Sequence, residues 1–279
     1  MKARIKFQKY GAMKFIGHLD VMRYFQKVFR RAEIDNEYTK GFSPHQIMSF
    51  AAPLGVGLTS DGEYVDVQLL SSDTPEVMMK RINEVLTEGF HVIGFHPLLE
   101  REENTKAVTA MAQVASADYL VSLKDGYQIG KTISSMKEFK EAFEKFFAQE
   151  NIVIGKKTKK SEKDVDIKPM ISLIAFDEKE YRNKLSETVK NTVNETLSTL
   201  ASEHAADIQS VADVYDNGIK LYMKLDTGSS ANLKPELVME AFCEYYDIPY
   251  EKFAWQVHRI EVYSKDESGK LIPLDCLER

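Results

Sequence analysis

Between residues 3 and 99 the hydrophobic pattern changes period four times, and this alternation restricts the fold more than any other feature of the chain. "ARIKFQKY" (3–10) sets Ile5 and Phe7 against Lys6 and Gln8, the period of two expected of a half-buried strand. Over residues 18–33, Leu19, Met22, Phe25, Phe29 and Ala32 recur every three or four positions, which predicts a helix with one apolar face. Residues 36–40 and "QIMSFAA" (46–52) follow as strand segments, and "GEYVDVQLL" (62–70) is a clear strand. "TPEVMMKRINEVLTEG" (74–89) opens with Thr74 as N-cap and Pro75 at the first helical position, and it closes at Gly89. "FHVIGFHPLL" (90–99) is a last strand. The order is β-α-β-β-α-β, the ferredoxin-like split unit.

The second half repeats that order. "ADYLVSLKD" (117–125) reads as a strand and "SSMKEFKEAFEKFFAQ" (134–149) as an amphipathic helix. "NIVIGKKTKK" and "DVDIKPMISLIAF" are strands around a lysine-rich turn, and "GIKLYMKLD" is a further strand. "KPELVMEAFCEYY" is a helix started by Pro235, and "AWQVHRIEVYS" closes the set. The predicted class is α+β, two ferredoxin-like βαββαβ domains in tandem. The first, with a basic face, covers 1–105. The second covers 106–279, with a helical insert near 180–206, and the join lies in "REENTKAVTAMAQVASA" (100–116).

At 279 residues and 43% hydrophobic, the chain has ample material for a core, and 29% charge is too much for a membrane protein. No apolar run reaches the ~20 residues that cross a bilayer. No apolar segment follows "MKARIKFQKYG", so no signal peptide is expected. Cys243 and Cys276 have neither metal nor redox spacing, which suits a reducing, cytoplasmic setting and calls for no metal or cofactor. Two thiols are also too few for the usual iron–sulfur cluster. Net charge is −6, unpromising for a polyanion binder, but the charge is unevenly spread. Residues 1–50 hold ten Lys/Arg against four acids, or +6, which leaves −12 for the rest. Such asymmetry fits one polyanion-facing surface, or equally a solvated basic helix with no partner.

On the 18–33 helix, Arg23, Lys27 and Arg30 stand at i, i+4 and i+7, one stripe of cations beside the apolar face, with Arg31 near the C-terminal end. Asp20 can pair with Arg23 and suits the first turn, a better account of it than a general base. His18, at the helix start after Gly11 and Gly17, can face a phosphate. In "KGFSPHQIMSF", Gly41 and Pro44 make a turn carrying Lys40, Phe42 and His45, a phosphate-contact and base-stacking set. For Phe42 the simpler alternative is packing into the core. His18 and His45 could form an acid–base pair for metal-independent RNA cleavage, given a nearby cation, but the sequence cannot bring them together. A His18–Asp20–His45 metal site is disfavoured, since positions 18 and 20 do not share a helical face.

A second lysine cluster, "GKKTKKSEKDVDIKP" (155–169), reads as a solvated hairpin tip unless it joins the first basic surface. His91, His96 and His258 lie in strand contexts and read as core residues, His204 as surface, and Trp255 as packed.

The stretch from Lys9 to Leu69 resembles the radical-SAM-linked protein family of unknown function. The resemblance is carried by Gly17–Asp20 (GHLD), Arg30–Ala32 (RRA) and Gly41–His45 (GFSPH). It continues through Ser49–Ala51 with Pro53, Leu54 and Gly57, and Ser60 with Glu63 and Tyr64. "KKTKKSEKDVDIKP" and "NLKPE" (232–236) are similar to the family as well. Membership implies a gene fused to, or beside, one for a radical S-adenosylmethionine protein, often near RNA-processing genes. The chain has no CxxxCxxC motif, so it would be the companion and not the radical enzyme. A double ferredoxin-like layout also looks like the CRISPR repeat-processing endoribonucleases, a weak warrant for function.

The expectation is an RNA-binding companion of a radical-SAM enzyme that presents or positions an RNA substrate. Arg23, Lys27, Arg30, Arg31 and Lys40 would meet phosphates, with His18, Phe42 and His45 positioning the strand. A metal-independent endoribonuclease and a protein–protein adaptor are the alternatives, and no membrane partner is expected.

Overall fold

The computed structural model describes residues 1–98, 109–157, 162–189, 209–228 and 231–276. These form a mixed α/β protein with antiparallel strand ladders and six α-helices among the described residues. Two compact units result. One comprises 1–115, 188–212 and 259–279, and the other 116–187 and 213–258. Neither is a single run of sequence, whereas the sequence reading drew one boundary at 105/106.

In the first unit, β1 (Lys2–Lys9) lies between β4 (Phe90–Leu98) and β3 (Thr59–Gln68). The short β2 (Met48–Phe50) pairs with β3, Phe50 opposite Val65 and Met48 opposite Val67. Residues 36–40 form only isolated bridges, Asn36 with Leu69 and Tyr38 with Gln46, rather than the strand expected there. Helix α1 (His18–Arg31) starts after Gly17, and α2 (Pro75–Val85) after Thr74, which makes no side-chain cap. Helix α2 ends four residues before Gly89. That glycine, at φ +99, sits in the turn beyond, where a Cβ would come within 2.5 Å of Met13. The core fills with Phe7, Phe25, Phe29, Phe50 and Phe90, the Phe7 and Phe25 rings 4.6 Å apart. Burying each such ring contributes roughly 1.5–3 kcal/mol.

Helix α1 ends in a Schellman motif. Ile34 N–H donates to Phe29 O and Glu33 N–H to Arg30 O, with Glu33 at φ 53 in the left-handed region that glycine usually fills. Arg81 donates to the carbonyls of Ala32 and Glu33, so the exposed end of α1 is held by α2. Leu19, placed on the apolar face by its spacing, is 60% exposed; the buried stripe is Val21, Phe25, Val28 and Phe29.

In the second unit, β5 (Ser116–Leu123) lies beside β9 (Lys220–Asp226), and β9 beside β8 (Ile171–Ala175). A separate hairpin joins β6 (Val153–Lys157) to β7 (Glu162–Asp166). Helix α4 (Met136–Phe147) opens with a complete capping box between Ser135 and Glu138. Helix α6 (Pro235–Tyr245) packs Phe242 against Phe143, the rings stacked at 5.3 Å. Helix α3 (Ala110–Gln113) belongs to the first unit and α5 (Glu178–Thr188) largely to the second. Most of the expected insert near 180–206, and most of the expected linker, lie outside the described residues. Strand β10 (Trp255–Lys265) gives its residues through His258 to the second unit and those from Arg259 to the first, where it pairs with β11 (Leu271–Pro273).

Candidate functional site

Helix α1 turns one face inward and the other to solvent. Arg23, Lys27, Arg30 and Arg31 are exposed. Tyr24, Lys27, Arg30 and Arg31 line one open depression. The Tyr24 ring in its lining is held at one face and at its hydroxyl. It stacks on Phe90 at 5.1 Å, its hydroxyl lies 3.0 Å from Thr87 Oγ1, and it accepts from the Thr87 N–H at 2.7 Å. Arg31 reaches across to Val85 O at 2.8 Å, and Arg30 Nε donates to Gln26 O at 3.2 Å. Three cations thus line one depression together with an aromatic ring held by a stack and its hydroxyl contacts. Arg23 stands apart from the depression, 3.5 Å from Asp20 in a solvent-exposed i,i+3 pair. Such a pair is worth a few tenths of a kcal/mol, as expected of Asp20 from its position.

The amino-terminal strand corrects the charge argument. Its cations were expected on the wet face of a half-buried strand; both faces of β1 are in fact covered. Arg4 forms a two-bond pair with Asp66 (Nε–Oδ1 2.7 Å, Nη2–Oδ2 3.1 Å) and donates to Leu274 O and Gln113 Oε1, each at 2.8 Å. Lys2 lies 3.1 Å from the same Asp66. Lys6 Nζ lies 2.5 Å from Glu261 Oε2 and 3.0 Å from Asp275 Oδ2. Burial opposes the Lys6 charge, but Asp275 and Glu261 outweigh it and hold its pKa above the usual lysine value. Lys2, Arg4 and Lys6 are therefore matched by the chain's own acids, and Lys9 is buried. The polyanion-facing charge reduces to α1 and its neighbours.

His18 and His45 have different surroundings. His18 begins α1 with its ring 5.2 Å from that of Phe50. His45 lies in the turn between the bridged residues Tyr38 and Gln46, its Nδ1 3.1 Å from Thr39 Oγ1, and its backbone N–H also donates to that hydroxyl. Asp20 is turned to solvent beside Arg23. Among the described residues, no group of three His, Cys, Asp or Glu could hold a metal. Phe42 is fully exposed at the tip of that turn, so the packing alternative is wrong for it. Lys40 is exposed on the same turn, with Gly41 at φ +120.

Sequence reasoning missed a recess beside His18. It is lined by Phe7, Lys9, His18, Val21, Phe50, Pro53, Leu54 and Glu63. Glu63 is gripped by Arg259, Nε to Oε1 at 2.8 Å and Nη2 to Oε2 at 2.5 Å, while the same Nη2 donates to Ala52 O. Burial lowers the His18 pKa, and Glu63 partly offsets this. The GHLD start, the SFA-PL segment and the S-x-x-EY strand all contribute to the recess. Their shared membership in one motif set was the available signal; Lys9 and Arg259 carried none.

Elsewhere, His258 and Trp255 are buried as expected, while His91 is exposed on β4. His204, Lys159 and Lys160 lie outside the described residues. No helix among the described residues is long and apolar enough to cross a membrane.

The profile of a family described as an uncharacterized protein conserved in bacteria (DUF2344) matches residues 2–235, and the chain belongs to that family. The match spans the recess-lining segments and all of α1, but stops short of Arg259. No curated protein matches the chain.

Proposed function

We propose that the protein is an RNA-binding companion of a radical-SAM enzyme, holding an RNA substrate along the exposed face of α1. One observation carries this reading: Lys27, Arg30 and Arg31 converge on a single open depression around the fixed ring of Tyr24. A single-stranded polyanion gains from cations spaced along a face and from aromatic rings that stack with bases. Phe42 and Lys40 offer the same pair of functions on the neighbouring turn. The radical-SAM partner is inferred from the family resemblance of Gly17–Asp20, Gly41–His45 and Ser60–Tyr64 alone.

Each unit is read as a ferredoxin-like βαββαβ fold. In support, the strands of the first run β4-β1-β3 with β2 also on β3, and those of the second run β10-β5-β9-β8. Numbered within each unit, both are the order 4-1-3-2.

Fluorescence anisotropy with a labelled single-stranded RNA across a salt series tests the binding. Three or four phosphate contacts give a log–log slope of about −2 to −3. The double change Lys27→Glu, Arg30→Glu should abolish binding; a flat salt series, or binding that survives this change, overturns the reading. Geometry argues against the endoribonuclease alternative, since His18 and His45 face different surroundings. Cleavage of labelled RNA in EDTA that is lost in His45→Ala would restore it. Capture of the radical-SAM partner in the absence of RNA, with no RNA affinity in the chain alone, would favour an adaptor.

A further inference from the structure

The depression on α1 is short for the charge it carries. Lys27, Arg30 and Arg31 all lie within about 6 Å along the helix axis. Among the described residues, none of the three forms an ion pair and no carboxylate lines the depression. A phosphodiester brings one negative charge, so a single linkage of a strand passing over this turn leaves most of the positive charge unmatched. A phosphate monoester carries about −1.5 to −2 at neutral pH and presents three strong acceptor oxygens. A monoester and the diester beside it together come close to balancing the three cations.

The donors are also prepared for such a group. Arg31 is held by Val85 O at 2.8 Å, and Arg30 Nε by Gln26 O at 3.2 Å. Each guanidinium has five N–H donors, so most remain for ligand oxygens. A planar fork already held at one edge loses less freedom when it grips an anion. The depression encloses about 540 Å³, within the range of small-ligand sites, so a whole nucleotide fits. A base at the end of a strand has a neighbour on one side only, which leaves its other face for an aromatic ring.

Resting on the RNA-binding reading above, we infer that the α1 depression holds an end of the RNA. A terminal phosphate monoester sits among Lys27, Arg30 and Arg31, and the end base lies against Tyr24. The rest of the strand leads away from the depression.

The test is fluorescence anisotropy of the full chain with internally labelled oligouridylates of one sequence. They carry a 5′-phosphate, a 3′-phosphate, or hydroxyls at both ends, and ionic strength is held constant. One phosphorylated RNA should bind at least about tenfold more tightly than the hydroxyl-ended RNA, the gain from one further charge-assisted contact. The tighter of the two identifies the end. Lys27 is exposed and makes no hydrogen bond or ion pair among the described residues, so Lys27→Met leaves the fold intact. That variant should lose most of the preference. Uridine monophosphate, which lacks the adjoining diester, should displace the labelled RNA far less well than the unlabelled phosphorylated oligomer does. Equal affinity for the three RNAs, a preference that survives Lys27→Met, or equal displacement by uridine monophosphate would each overturn the inference while leaving strand binding in place. Failure of all three RNAs to bind would overturn strand binding as well.

Discussion

Arg259 closes both carboxylate oxygens of Glu63 in a two-bond grip, although 196 residues separate them in sequence. Both are nearly fully buried, so neither charge has water to fall back on. Removing one partner takes the two-bond grip from a charge that stays buried, at a cost of up to about 3–5 kcal/mol. Arg259→Met and Glu63→Gln should each lower the urea midpoint by an amount in that range. The double variant should recover much of the loss, because neither charge is then stranded. Additive losses in the double-mutant cycle would show that the pair is not coupled.

Glu33 holds a left-handed conformation that costs an L-residue roughly 1 kcal/mol. Its carbonyl is used by Arg81, but the side chain is exposed at the helix end. Glu33→Gly keeps the backbone hydrogen bonds and relieves the strain. It should raise stability by about 0.5–1 kcal/mol in denaturant unfolding, whereas Glu33→Val should lower it.

The depressed pKa of His18 sets a sign for pH dependence. Unfolded, the imidazole titrates near pH 6.5; folded, burial beside Phe50 holds it lower despite Glu63. The unfolded chain therefore binds the extra proton first, and stability falls as pH drops below about 6.5. Comparing unfolding of the parent protein and His18→Gln between pH 7.5 and 5 should show a shallower acid loss in the variant. Parallel curves would refute the assignment.

Phe42 contacts nothing that its removal would empty. Phe42→Ala should leave the thermal midpoint within about 1 °C, as for other solvated positions. If the ring stacks on a base, the same change weakens RNA binding by about 1–3 kcal/mol. Anisotropy and thermal unfolding on one preparation separate these effects.

The order of strands and helices was legible because period, caps and prolines are local signals. Thr74–Pro75 marked the start of α2, Pro235 that of α6, and alternation marked β1 and β3. The α1 cation stripe was legible for the same reason, since i, i+4 and i+7 fix a face. What was hidden depends on partners distant in sequence. Arg4 and Lys6 read as wet-face residues because nothing near them shows that Leu274, Glu261 and Asp275 cover that face. One clue was present: cations at alternate positions of β1, with an acid, Asp66, in the facing strand. Phe42 was misjudged because an aromatic ring is usually packed, and only the geometry of the 38–46 turn shows it pointing away. The recess needed four segments brought together, which periodicity cannot do.

The pairing of Lys6 with Glu261 and Asp275 also has a consequence in time. A ribosome extends a chain by about 5–20 residues per second, so some 10–50 s pass between synthesis of β1 and that of its counter-ions. For that interval the opening strand carries ammonium and guanidinium groups that the nascent domain cannot yet enclose. The first unit must therefore finish assembling late, after nearly the whole polypeptide has been made.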